Sequence, residues 1–309
     1  MPRRPVATYS IVARDDTHIG VAVQSHWYNV GAVVPWVDAS VGAVAAQSFS
    51  PPEVGHRALA GLAAGRPPRQ ILDELISDDV QRAGGQIAIL RADGEVATHT
   101  GDGCIPEAGH VVGERFSTQA NLMDTREVWE AMAEAFGSAD GDLSERMLVA
   151  LEAAERAGGD VRGRQSAAIV VATRGRPAPL DRVFDLRVED HPDPVPELRR
   201  LVQARRAYIL LNEGDQLVAR HDIAGALAAY DEATRIIPPG VAHGEAELWT
   251  GITLAGEGRL DDAEPFLRRA AERAGDDRWA RLVPRLVSPG ILPGDPALIA
   301  RLVELATPQ

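Results

Sequence analysis

Residues 6–48 alternate short apolar, β-branched runs with polar turns, the period-two pattern of strands. Thr8–Ala13 and Gly20–His26 are two such runs, divided by a polar Arg-Asp-Asp-Thr-His turn. Val30–Trp36 and Val41–Ser48 continue the series. Pro51-Pro52 then opens a helix to about Ala64, and Pro67-Pro68 a second through Ile76, because proline is preorganised for a helix's first turn. Strands return at Gln86–Arg91 and Val96–Thr100, with Asp93-Gly94 as their hairpin turn, and extended chain follows over Gly109–Ala120. Two further helices run over Glu127–Phe136 and Leu143–Ala157, before strands at Ser166–Thr173 and Val183–Val188. Strands, helix pair, strands, helix pair, strands: this order predicts an α+β arrangement of two stacked sheets with helix pairs on both outer faces.

The pattern changes at His191-Pro192-Asp193-Pro194-Val195-Pro196, read as a stiff proline-rich link. The reading gives one domain over 1–190, a linker and helix start over 191–203, and a helical domain over 204–309. In the helical part Gly214, Ala226, Tyr230, Ala233 and Pro238 fall at the small, small, aromatic, small and proline positions of a tetratricopeptide-type repeat. Gly251, Ala263, Leu267 and Ala270 recur 37 residues later. Small residues there let antiparallel helices approach closely. Two such units bury little core alone, so the tail is expected to pack on the first domain or on another subunit, most simply in a homodimer, with a protein partner as the remaining candidate.

Charge narrows the functions. The 45 acidic against 32 basic residues leave a net −13, which argues against a nucleic-acid partner, since phosphate binding needs a concentrated basic face. No run of about 18 apolar residues is present, so no membrane span is expected. Met-Pro-Arg-Arg-Pro-Val-Ala has no apolar stretch behind its charges and does not read as a secretory signal, so the expected location is cytoplasmic. The single cysteine, Cys104, cannot form an intrachain disulfide. Every basic residue is arginine. No lysine can therefore serve as a base, a Schiff-base former or a pKa-lowering cation; among the nitrogen groups those tasks fall to arginine, histidine or an α-amino group.

Several strings then fall in order: Thr8-Tyr9-Ser10-Ile11-Val12-Ala13, Gly20-Val21-Ala22-Val23-Gln24-Ser25-His26-Trp27, Val30-Gly31-Ala32-Val33-Val34-Pro35-Trp36, His99-Thr100-Gly101, Gln119-Ala120-Asn121 and the Gly158–Ala168 run. Together they resemble the domain-of-unknown-function family 1028, grouped with the N-terminal-nucleophile (Ntn) hydrolases, over about residues 6–200. The helical tail is similar to that of a subset of the family. The resemblance implies an αββα four-layer sandwich followed by a tetratricopeptide-like domain, and no cofactor. It implies a reaction class but no substrate.

In an Ntn enzyme a Thr, Ser or Cys becomes residue one of the mature chain, and its own α-amine is the general base. Thr8 stands at the head of the first strand, and Ser10 points to the same face. Removing the initiator Met would expose Pro2, so this chemistry requires cleavage between Ala7 and Thr8. Members of the family often carry lysine where His26 stands, which makes His26 the nearest substitute. Catalytic candidates are thus Thr8, Ser10 and His26.

Gln24, Ser25, His26 and Trp27 form the densest polar–aromatic cluster, with Gln24 and His26 on one strand face and Ser25 and Trp27 on the other. Polar groups at the end of an apolar strand need partners, either a substrate or neighbouring loops. The substrate-binding candidates are Gln24, Ser25, Trp27, Asn121, Asp160 and Arg162; Asn121 is an oxyanion donor in this reading, and Asp160 and Arg162 can also simply pair with each other. His99, Cys104 and His110 have a spacing too unspecific for a structural metal site, and Cys104 reads as a small half-buried thiol. The leading expectation is hydrolysis of an amide-type C–N bond in a small cytoplasmic molecule. The alternative is a non-catalytic ligand-binding or scaffold protein whose repeats recruit a partner. The intact mass of the purified protein separates the two.

Overall fold

The computed structural model describes residues 6–77, 79–176 and 181–309. The chain divides into two compact units, Met1–Val202 and Gln203–Gln309.

The first unit opens with β1 (Thr8–Arg14), β2 (His18–Ser25), β3 (Pro35–Asp38) and β4 (Gly42–Ser48). Helices α1 (Glu53–Ala63), α2 (Pro68–Leu75) and α3 (Asp79–Gly84) follow. Then come β5 (Gly85–Arg91), β6 (Val96–Thr100), β7 (Gly109–Gly113) and β8 (Phe116–Asn121). The unit continues through α4 (Val128–Ser138), α5 (Leu143–Arg156), β9 (Ser166–Thr173) and β10 (Arg182–Val188). Every strand pairing is antiparallel, in one sheet ordered β10-β9-β2-β1-β8-β7 and another ordered β3-β4-β5-β6. Local chemistry sets the boundaries: Pro68 starts α2, the Asp142 carboxylate caps α5 by accepting from Glu145 N at 2.9 Å, and Gly94 at φ +109° makes the β5–β6 turn.

Alternation along the strands sorts three cores. Val12, Val21, Val23, Ala45, Ala88 and Leu90 meet between the sheets. The outward Val44, Ile87 and Ile89 are covered by Val54, Leu62, Ile71 and Leu72 of α1 and α2. The outward Tyr9, Ile11, Ala22 and Ile169 are covered by Met132, Phe136, Met147 and Leu151 of α4 and α5. Burying such side chains contributes about 1.5–3 kcal/mol each and dominates the stability of the unit.

Val30–Trp36 is not one strand. Val30 and Val34 are both fully buried, and Val34 N donates to Val30 O at 3.1 Å, a helical turn's spacing; β3 begins only at Pro35. The expected proline link is also different: Pro194 and Pro196 lie in the first turn of α6 (Pro194–Ala219), where a missing N–H costs no hydrogen bond.

The second unit continues with α7 (Ile223–Ile236), α8 (Glu245–Gly256), α9 (Leu260–Ala274), α10 (Arg278–Leu282) and α11 (Pro296–Leu305). Two of the glycines singled out in the sequence sit at close helix contacts. A Cβ on Gly214 would lie 2.3 Å from Tyr230 Cε1, and one on Gly251 would lie 2.6 Å from Leu267 Cγ. Gly251→Val is therefore expected to destabilise this unit by about 1–3 kcal/mol through overpacking, read as a lower urea midpoint in the helical CD signal. Among the described residues no helix is long and apolar enough to cross a membrane.

Candidate active site

The register of β1 sets its neighbours. Thr8 lies opposite Ser25 of β2 and Asn121 of β8, and Ser10 lies opposite Val23 and Gln119. Directly opposed residues share a face, so Thr8, Ser10, Ser25, Gln119 and Asn121 all open between the sheets. Each is fully buried. On the facing sheet the inward positions of β4 and β5 continue from Ala45 and Ala88 to Gln47 and Gln86. The space between the sheets is thus apolar at one end and lined with amides and hydroxyls at the other.

Those groups satisfy one another. Ser10 Oγ donates to Gln47 Oε1 at 2.7 Å and accepts from Gln119 Nε2 at 2.6 Å. Gln47 Nε2 donates to Gln86 Oε1 at 2.7 Å, and Asn121 Nδ2 donates to the same oxygen at 2.9 Å. Gln86 Nε2 faces the Ala120 carbonyl at 2.8 Å, which fixes which end of that amide is the acceptor. Asn121 must therefore present its Nδ2 to Gln86. Its Oδ1 is left buried beside Thr8 with no partner among the described residues.

The peptide bond before Thr8 is clamped. The Ala7 carbonyl accepts from Ser25 Oγ and from Arg162 Nη2, the latter at 3.0 Å. Arg162 is itself held by Asp160, with Nε on Oδ1 at 3.0 Å and Nη2 on Oδ2 at 2.7 Å. The Asp160 side chain is wholly enclosed. Thr8 Oγ1 donates to Val6 O at 2.8 Å, and Val6 forms an antiparallel bridge with Ser48.

The structure brings Thr8, Ser10, Ser25, Asn121, Asp160 and Arg162 together, and it separates others. Gln24 lies opposite Tyr9, so it sits on the sheet's other face, away from Thr8. There its amide is fully buried with neither Nε2 nor Oε1 partnered among the described residues. His26 lies beyond the end of β2; its backbone N donates to Asp160 Oδ2 at 3.2 Å. Ser25, not His26, stands across from Thr8. Trp27 lines a cavity of about 390 Å³ together with Val6 and Ser48. Asn121, expected to donate to an oxyanion, has its donor already committed to Gln86. Gln47 and Gln86 were not singled out from the sequence, although a glutamine at an inward position of an apolar strand is a costly and therefore informative residue.

A model of a family of unknown function, DUF1028, matches residues 8–198. The chain belongs to this family. A crystal structure of a DUF1028 protein from Silicibacter pomeroyi is similar to it, with 32% sequence identity and a TM-score of 0.58 over 64% of this chain and 88% of that one. No curated protein matches the chain.

Within the DUF1028 domain the cysteine and histidines take separate partners. Cys104 Sγ lies 3.5 Å from the Ser48 hydroxyl and 3.4 Å from Gly84 O, and burial pushes its thiol pKa up. His99 Nε2 meets Arg82 O at 2.9 Å, and His110 Nδ1 meets Thr100 Oγ1 at 2.8 Å. Among the described residues the Cys104 thiol meets Ser48 and backbone carbonyls rather than a histidine, and no group of three or more His, Cys, Asp or Glu could hold a metal ion. Thr100, Cys104, His110 and Trp129 instead border a cavity of about 600 Å³.

Burial, and secondarily His99, lowers the pKa of His110. The unfolded chain, with an imidazole pKa of about 6.5, then binds the proton more readily than the folded one. Stability present above that pH is lost as pH falls through it towards the folded value. His110→Asn is expected to shrink the drop in urea midpoint between pH 7.5 and pH 5; an unchanged drop would clear His110 of this effect.

Proposed function

We propose that this DUF1028 protein is an Ntn hydrolase of an amide-type C–N bond, its two stacked sheets and covering helices being the αββα sandwich of that class. The observation that carries this reading is the Ala7–Thr8 peptide bond. Its carbonyl oxygen rests on a hydroxyl and a guanidinium, and a threonine hydroxyl follows it at the head of the central strand. Two donors fixed on a carbonyl are what a tetrahedral oxyanion needs, and they cost no reorganisation when charge develops. The family match also begins at Thr8.

The chemistry balances with groups at hand. In maturation, Thr8 Oγ1 bonds to the Ala7 carbonyl carbon, the C–N bond breaks with its proton passing to nitrogen, and water hydrolyses the resulting ester. The free α-amine of Thr8, with an ordinary pKa of about 7.7–8.0, is then the base. It takes the Thr8 hydroxyl proton as Oγ1 attacks a substrate carbonyl and passes it to the leaving amine as the C–N bond breaks. Water, activated by the same amine, cleaves the ester and frees the acid. Asn121 Oδ1, buried and unpartnered among the described residues, suits the role of acceptor for the α-ammonium. Ser10, bonded at both donor and acceptor, suits a positioning role rather than attack.

The test is intact mass combined with amide hydrolysis. Loss of seven residues, or activity in a chain beginning Met-Thr8 once Met is removed, supports the reading; a full-length chain together with an inactive Thr8-starting chain refutes it. For the second unit, the equivalent Gly214–Tyr230 and Gly251–Leu267 contacts support tetratricopeptide-like hairpins.

A further inference from the structure

Val6 and Ala7 are seated like a bound peptide rather than like a loose extension. Val6 N donates to Ser48 O at 2.8 Å, and Ser48 N donates back to Val6 O at 3.0 Å. This two-bond antiparallel pairing is how sheets recognise extended peptides by strand addition. Ser48 adopts a left-handed conformation, φ +63°, to make both bonds while 99% enclosed at 1% exposure. A non-glycine residue held there is strained, and such strain persists where the surroundings impose it, commonly at ligand-holding positions. Next to Val6 lies the cavity of about 390 Å³, walled by Trp27, Val33, Ala46, Phe49 and Pro51. Ala7 is fully buried with its carbonyl on Ser25 and Arg162.

We propose that Val6 and Ala7 occupy the acyl half of the substrate site, so that the substrate is a peptide-like amide whose acyl side is an extended dipeptide, with a small residue at the scissile carbonyl and a branched aliphatic residue before it. The substrate class rests on the Ntn reading above, while the seat itself does not. Three features of the chain define the preference. The enclosed Ala7 position admits little beyond a methyl group. The apolar walls favour an aliphatic side chain at the Val6 position. The Ser48 backbone demands an N–H and a C=O on that same residue, which a simple acyl chain lacks. The same geometry makes the uncleaved segment an internal occupant that keeps substrate out.

The test measures binding and hydrolysis separately. Acetyl-Val-Ala amide is titrated, with tryptophan fluorescence as the signal, into the full-length chain, into a chain starting at Thr8, and into full-length Val6→Pro. The last variant keeps every residue from Thr8 onwards and loses one bond of the Ser48 pairing. The two altered chains are expected to bind it at least about tenfold tighter than the full-length chain, and about tenfold tighter than they bind acetyl-Val-Phe amide. Equal affinity for the two peptides, or equal binding by all three chains, would overturn the proposal. Hydrolysis of acetyl-Val-Ala p-nitroanilide is then compared with that of a simple acetyl anilide. Selective binding without hydrolysis of either anilide leaves the seat standing and removes the nucleophile; hydrolysis of both anilides at one rate without selective binding does the reverse.

Discussion

Thr8→Ala, in a chain that begins at residue 8, is expected to lower anilide hydrolysis by at least about 10³-fold, to the level that binding and the carbonyl donors supply alone. The alanine chain keeps an α-amine, the Ser25–Arg162 pair and the amide layer, so only the attacking oxygen is lost. Ser10→Ala is the contrasting change. It strands Gln47 Oε1 and Gln119 Nε2, each fully buried, and should cost about 1–3 kcal/mol of stability. Steady-state rates and urea midpoints measured on both variants separate a nucleophile from a positioning residue. A Thr8→Ala chain as active as its parent would remove Thr8 from the chemistry.

Arg162→Met is expected to destabilise the first unit by roughly 3–5 kcal/mol, because it leaves a buried carboxylate without its cation. The Asp160 side chain has no exposure, whereas Arg162 keeps 27% of its side chain in solvent. Most of the loss therefore comes from the acid left behind rather than from the arginine removed. Combining Arg162→Met with Asp160→Asn should restore a large part of the stability while leaving the Ala7 carbonyl with Ser25 alone. Near-ultraviolet CD during urea unfolding follows the stability; cleavage before Thr8, followed by mass, follows the chemistry. If the single and double variants unfold together, the ion pair is not what holds Asp160.

Most of the strands were legible because both sheets impose strict alternation: Val96–Thr100 and Ser166–Thr173 have the same limits in the sequence reading and the structure. Val30–Trp36 failed because a run of small apolar residues carries no period, and Val30 and Val34 are related by a turn. The short α3 carries no strong helical stripe and was missed. At the site, Thr8 and Ser10 could be placed on one face from alternation within a single strand. The partners Gln47 and Gln86 could not, since bringing them to Ser10 and Asn121 depends on how one sheet stacks on the other. Gln24 shows the converse difficulty. Its strand and burial were readable, but its face relative to Thr8 depended on the β1–β2 register.

The chain contains 32 basic residues and none of them is lysine. Arginine and the carboxamides do not react with ordinary acylating reagents at neutral pH, so no side chain of this sequence offers a primary amine and only an α-amine can. With Thr8 at the head of β1, cleavage of the preceding bond would make that amine and the general base the same group. An acetyl or carbamoyl group on nitrogen would then sit at the site alone and silence it. The whole polypeptide would behave as a reagent with one addressable amine, set at the edge of a layer of uncharged amides.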